Sequence, residues 1–148
     1  MNNNPKSNLD FSKSQLKQYS DDTILEVLPE KNDDNGASKY VLIKHDYYSS
    51  DNDHGRELLS CFLSALCNSS YNGLIIYLTD KGTQLLDKTN PLHEQMIKLI
   101  DKSEMVIAAN ESIDYYAVDV YDNSKLVFQS AASISEDIVY ISALLILE

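Results

Sequence analysis

Short apolar stretches recur along this sequence, each four to seven residues long and rich in branched side chains: KYVLIKH (39–45), GLIIYLT (73–79), EMVIAA (104–109), KLVFQSA (125–131) and ALLILE (143–148). A strand with one wet face alternates apolar and polar residues, whereas a strand covered on both faces does not. These stretches therefore read as strands of a buried sheet. The last also reads as the continuation of a helix. Between them the rhythm changes. GRELLSCFLSALC (55–67) carries Leu58, Leu59, Phe62, Leu63 and Leu66, the spacing of an amphipathic helix. Pro91 opens a second helix that carries Leu92, Met96, Ile97, Leu99 and Ile100. ESIDYYAV (111–118) reads as a short helix, and SISED places Ser133 and Glu136 at capping-box spacing, opening another. DYYSSDND (46–53) reads as a loop and DKGTQLLDKTN (80–90) as a turn.

Buried strands alternating with helices imply a parallel sheet with helices on both sides. The expected class is α/β: a three-layer α/β/α arrangement with a mainly parallel sheet of about five strands. The 148 residues suit one domain with a full core. Residues 39–148 form that domain. Residues 1–38 differ, being rich in Asn, Ser, Asp and Lys and ending in EKNDDNGAS, the composition of a flexible or partly ordered arm. Within the arm, SQLKQYSDDTILEVLP reads as a helical turn or two and a strand, stopped by Pro29.

Charge narrows the partners. The formal net charge is −11 and Arg56 is the only arginine, so the basic cluster that holds nucleic-acid phosphates, or an anionic membrane surface, is missing. No apolar run approaches the ~20 residues of a membrane span. The start MNNNPKSNLD lacks the pattern of a signal peptide, and the expected setting is cytoplasmic. Neither G-x-G-x-x-G nor G-x-x-x-x-G-K-[ST] occurs, so no nucleotide cofactor is expected. The two cysteines, Cys61 and Cys67, share one helix about 120° apart, too divergent to bridge and without the spacing of a metal pair. They read as two small buried hydrophobes.

In an open parallel sheet, ligands gather at the carboxyl ends of the strands. The corresponding loops are 46–54, 79–83, 109–112 and 130–133. The first holds Asp46, Asp51, Asp53 and His54 before Gly55, following His45; its spacing does not fit an EF-hand, and it reads as a solvated acidic loop that caps the next helix, with no metal expected. Glu111 and Asp114 resemble an acid/base pair but also ordinary acids of a first helical turn. The pairs Tyr47-Tyr48 and Tyr115-Tyr116 suit either a binding surface or plain packing.

HGRELLSCFLSAL, LIIYLT, MVIAANESIDYY and KLVFQSAASISEDIV follow one another in the order and spacing of a DsrE-like domain. Over about Lys39 to Glu148 the chain most resembles the carboxyl-terminal half of YedF-like proteins of sulfur and selenium metabolism. In that family the third strand runs into Cys-Gly-Thr-Cys-Leu-x-Tyr-Tyr. Laid on this sequence, the cysteines fall at Ala109 and Ser112, and the Gly and Thr at Asn110 and Glu111; Ile113, Asp114, Tyr115 and Tyr116 match the following turn. The family's small-residue loop is SSDND here, and its leucine before Gly55 is His54. Residues 9–29 resemble a shortened remnant of the TusA-like domain that precedes such halves, without its cysteine. A sulfur relay needs a thiolate; serine is far harder to ionise, and alanine carries nothing. The resemblance thus implies a homo-oligomeric scaffold, with a sulfur- or selenium-relay protein as a possible partner. Its degenerate site is Ala109, Asn110, Glu111 and Ser112, and its candidate edge is Asp46, His54, Gly55, Tyr115 and Tyr116. The expected role is a non-catalytic binding or assembly module; the alternative is a relay through a displaced thiol, Cys61 or Cys67.

Overall fold

The computed structural model describes residues 38–148. The expected arm lies outside the described residues except for Ser38, which opens the first strand. The elements run β1 (Ser38–Ile43), α1 (Asp53–Cys67), β2 (Gly73–Leu78), a 3-10 helix (Asp80–Leu86), α2 (His93–Lys102), β3 (Met105–Ala109), α3 (Asn110–Tyr115), β4 (Leu126–Gln129), α4 (Ala131–Val139) and β5 (Leu144–Leu147). The five strands of the described residues are all parallel, in the order β4-β3-β2-β1-β5. The expected α/β class is the observed one, and ALLILE resolves as a strand.

The strand order decides where the helices go. Right-handed crossovers that step one way leave their helices on one face, and a crossover that steps back leaves its helix on the other. The connections from β1 through β4 all step the same way; only α4 returns, crossing to β5 beyond β1. The packing agrees. On the front face Val41, Ile43, Ile76 and Val106 meet Leu59 and Leu63 of α1 and Met96 and Leu99 of α2, all fully buried. On the back face Tyr77, Ile107 and Ala109 meet Ile134 of α4.

Local starts and stops differ from the sequence reading in four places. α1 begins at Asp53, not Gly55, because Asn52 Oδ1 accepts the Gly55 N–H at 2.8 Å. The helix after Pro91 begins at His93. Residues 80–86 form a 3-10 helix rather than a turn, driven by burial of Leu85 and Leu86. Its Gly82 sits against β1, where a methyl group would run into the Ile43 carbonyl, and its N–H reaches Lys44 O at 3.1 Å. Finally, Ser133 and Glu136 are not a capping box. α4 starts three residues earlier than a Ser133 cap would set it, and Ser133 donates its N–H to the true cap, Ser130 Oγ, at 3.1 Å.

Candidate functional site

The strand-3 end is built as a junction. β3 passes into α3 without a loop, with Ala109 at the N-cap position. Ala109 is 1% exposed and belongs to the back core, so the position at which DsrE-like sequences carry their first cysteine is sealed here. Ser112 Oγ accepts the Asp80 N–H at 2.9 Å. Tyr116 returns to the same residue, its hydroxyl donating to Asp80 Oδ1 at 2.7 Å. That bond to a carboxylate pushes the Tyr116 hydroxyl up to about 12. Glu111 Oε1 accepts the Ala131 N–H at 2.8 Å, satisfying an open donor at the start of α4. Asp114, three residues on, is exposed and makes no pair with it. Asn110 is exposed.

These bonds join the carboxyl-edge loops in a chain. Loop 109–112 holds loop 79–83 through Ser112 and holds the α4 start through Glu111. Loop 79–83 reaches loop 46–54 through Lys81, whose ammonium lies 3.4 Å from Asp51. Asp51 also takes Arg56 Nη2 at 2.9 Å. Gly55 lies under this loop, and a methyl group there would strike the Ser50 carbonyl. Three residues here adopt positive φ: Ser49 (72°), Asp80 (50°) and Ala117 (49°). Each is a conformation that L-residues occupy at a cost.

Between these loops lies a cleft of about 350 Å³ lined by Asp46, Arg56, Gln84, Asp87, Thr89, Asn90, Pro91 and Tyr116. Of the residues expected at the site edge, Asp46 and Tyr116 meet here. His54 does not; it is exposed on α1, 3.7 Å from Glu57. Tyr115 is 82% exposed and packs edge-on against Tyr116. Tyr48 packs on Phe62 and Tyr47 stacks on His45, so this pair is largely packing.

Sequence reading missed Arg56, Gln84, Asp87, Thr89 and Asn90 as cleft residues. A signal existed in DKTNP. Asp87 Oδ1 accepts both the N–H and the hydroxyl of Thr89, an Asx turn, while Oδ2 takes the Asp119 N–H. These donors hold the Asp87 carboxyl below the usual carboxylate range. Among the described residues, no group of three or more His, Cys, Asp or Glu side chains is placed to hold a metal ion, and no helix is long and apolar enough to cross a membrane.

The cysteines correct the sequence reading. Cys61 is exposed and Cys67 only partly covered. The buried stripe of α1 runs through Gly55, Leu59, Leu63 and Leu66, and two residues from Leu59 or Leu63 is a turn of about 200°, which puts Cys61 outside. Cys61 lines a second, shallower groove of about 570 Å³ with Asp53, Arg56, Glu57, Ser60, Pro91 and Leu92. Cys67 closes the helix at the opposite end, and burial pushes its thiol up.

Comparison with known proteins adds the fold. The conserved protein of unknown function BT1422 from Bacteroides thetaiotaomicron superposes with a TM-score of 0.52 at 11% identity, over 74% of this chain and 95% of that one. The likeness is one of fold. The ychN protein from E. coli aligns with a TM-score of 0.48 at 10% identity, over 74% of this chain and 99% of that one. No family model matches the sequence, and no curated protein matches it significantly.

Proposed function

We propose that this chain is a non-catalytic binding and assembly module on a DsrE-like scaffold, accessory to sulfur or selenium metabolism. One observation carries the reading: the seat of the family chemistry is occupied by structure. Ala109 is sealed in the core, Ser112 accepts a backbone N–H, and Glu111 caps α4. None of these side chains is held as a nucleophile: among the described residues Ser112 Oγ makes no hydrogen bond to a basic side chain. The assembly half of the reading rests on the back of the sheet. Tyr40, Leu42, Ile75 and Met105 are only half-buried there, Ile146 is 44% exposed, and Val139 and Tyr140 of the covering helix and its cap are 76% and 88% exposed. A second copy of the chain is the proposed cover.

A second reading has its own observation. Cys61 is exposed, in a groove that Arg56 also lines. In that reading Cys61 relays sulfur or selenium, and Cys67, at a helix carboxyl end, does not.

Intact mass separates the two. The full chain is incubated with a persulfide donor beside a Cys61→Ala, Cys67→Ala double variant, then offered an acceptor protein. The module reading expects no adduct that wild type alone can pass on. A transferable adduct on wild type, lost in the double variant, would replace it with the relay. Sedimentation velocity tests assembly, with a concentration-independent monomer as the opposing result.

A further inference from the structure

The carboxyl-edge cleft is not used by any part of the reading above, and its polar groups are unevenly committed. Arg56 spends one nitrogen, Nη2, on Asp51; Nε and Nη1 make no bond among the described residues. A guanidinium fixed at one corner still presents donors that match a carboxylate. Asp46 spends one oxygen, Oδ2, on Asn90 Nδ2 at 3.1 Å, and the other makes no bond among the described residues. The Gln84 side chain makes no hydrogen bond among the described residues. Asp87 is different: both its oxygens are taken by backbone or hydroxyl donors, so it contributes charge but little free acceptor capacity.

A ligand must therefore meet the free donors of Arg56, which is already paired with Asp51, and the free acceptor of Asp46, beside a neutral amide and the negative charge of Asp87. A simple anion would meet Asp46 and Asp87. A simple amine would leave the free donors of Arg56 without an acceptor. A nucleotide would bring several negative charges to a cleft with one arginine and no phosphate-cradling loop. A zwitterion answers both charges at once. The volume, about 350 Å³, is at the lower end of ligand pockets, which run from about 300 to 1,000 Å³, and suits a molecule of amino-acid size.

We propose that the cleft binds a free α-amino acid, with Arg56 taking its carboxylate, Asp46 its ammonium, and Gln84 and Thr89 reading a polar side chain. The inference deepens the binding half of the proposed function by naming a ligand class. It does not depend on the open sheet face.

The test uses the full chain and the twenty common amino acids, each at millimolar concentration, first by thermal shift and then by calorimetry. At least one should stabilise the protein saturably. Its deaminated and decarboxylated analogues should each bind at least tenfold more weakly. Arg56→Gln should weaken the amino acid at least tenfold and leave the decarboxylated amine unchanged, while Asp46→Asn should do the reverse with the deaminated acid. Arg56→Lys keeps the charge but not the fork, and should recover only part of the affinity. Three results would overturn the proposal: no stabilisation by any of the twenty, a half-molecule binding as tightly as the whole, or variants that bind like wild type. Normal assembly with no amino-acid binding would remove this inference alone. Binding by a strict monomer would remove the assembly reading alone.

Discussion

The two faces of the sheet are made from alternate residues of the same strands, yet they differ in finish. On the front, α1, the 3-10 helix and α2 cover the strands so fully that Val41, Ile43, Leu74, Ile76 and Leu78 have no exposure. On the back, α4 alone among the described residues supplies a helix, and of its side chains only Ile134 is buried. Composition does not explain this, since Leu42 and Ile75 of the back are as apolar as Ile43 and Ile76 of the front. Connection order does. Three crossovers step forward and one steps back, so one face receives nearly all of the helical cover.

The sharpest test of that contrast is a matched pair of truncations. Leu63→Ala on the front should cost about 3–4 kcal/mol, the loss of a fully buried leucine plus its cavity. Ile138→Ala on the back, where the side chain is partly exposed, should cost about 1 kcal/mol. Urea unfolding of both variants reads the difference, and equal costs would break the comparison. Gly82→Ala should come next, at about 2 kcal/mol, because a methyl group there meets the backbone of β1. If the back face is covered by a second copy, Ile146→Lys should convert the sedimenting species to a smaller one and change the unfolding midpoint of the monomer little. Ala117→Gly should stabilise by about 1 kcal/mol, since Ala117 ends α3 at a φ of 49° that glycine adopts freely.

The smallest expected effect is a titration. Tyr116 holds its proton to about 12 when folded, against about 10 in an unfolded chain. Its folded pKa is raised, so its contribution is whole below pH 10 and is lost as the pH climbs from there towards 12. Burial also raises Tyr77 and Tyr121, so tyrosinate absorbance should show a late-ionising component in the native protein that Tyr116→Phe reduces by one group. No such change would mean that the bond to Asp80 does not hold in solution.

Much of the fold was legible in residue order. Unbroken runs such as GLIIYLT announced strands covered on both faces, and the leucine stripe of 58–66 announced α1. What stayed hidden was decided by partners distant in sequence. Residues 80–86 have turn composition, and only the pocket awaiting Leu85 and Leu86 winds them into a helix. Ser133 and Glu136 have the spacing of a cap, but Ser130 takes that role once β4 ends at Gln129. At the site, the absence of a cysteine at 109–112 could be read directly. The duties of those side chains could not, because the Asp80 N–H and the Ala131 N–H that they receive lie 32 and 20 residues away. The misplacement of Cys61 had a simpler cause: it was assigned by residue type and not by its angle of about 200° from Leu59 and Leu63, whereas Cys67 does pack on the core in part.

The pairing of β5 with β1 bears on how the molecule is made. Tyr40 to Ile43 align with Leu144 to Leu147, and Lys44 closes the pair against Glu148 at 2.6 Å across 104 residues. Contacts so distant in sequence form late, because the chain between must be ordered first. During synthesis β1 is made about 100 residues before β5. Until β5 arrives, β1 stands as an open edge of hydrophobic strand, the template on which nascent chains aggregate. The chain is thus open to aggregation until β5 is in place, and a slowdown of translation before β5 is made would lengthen that interval.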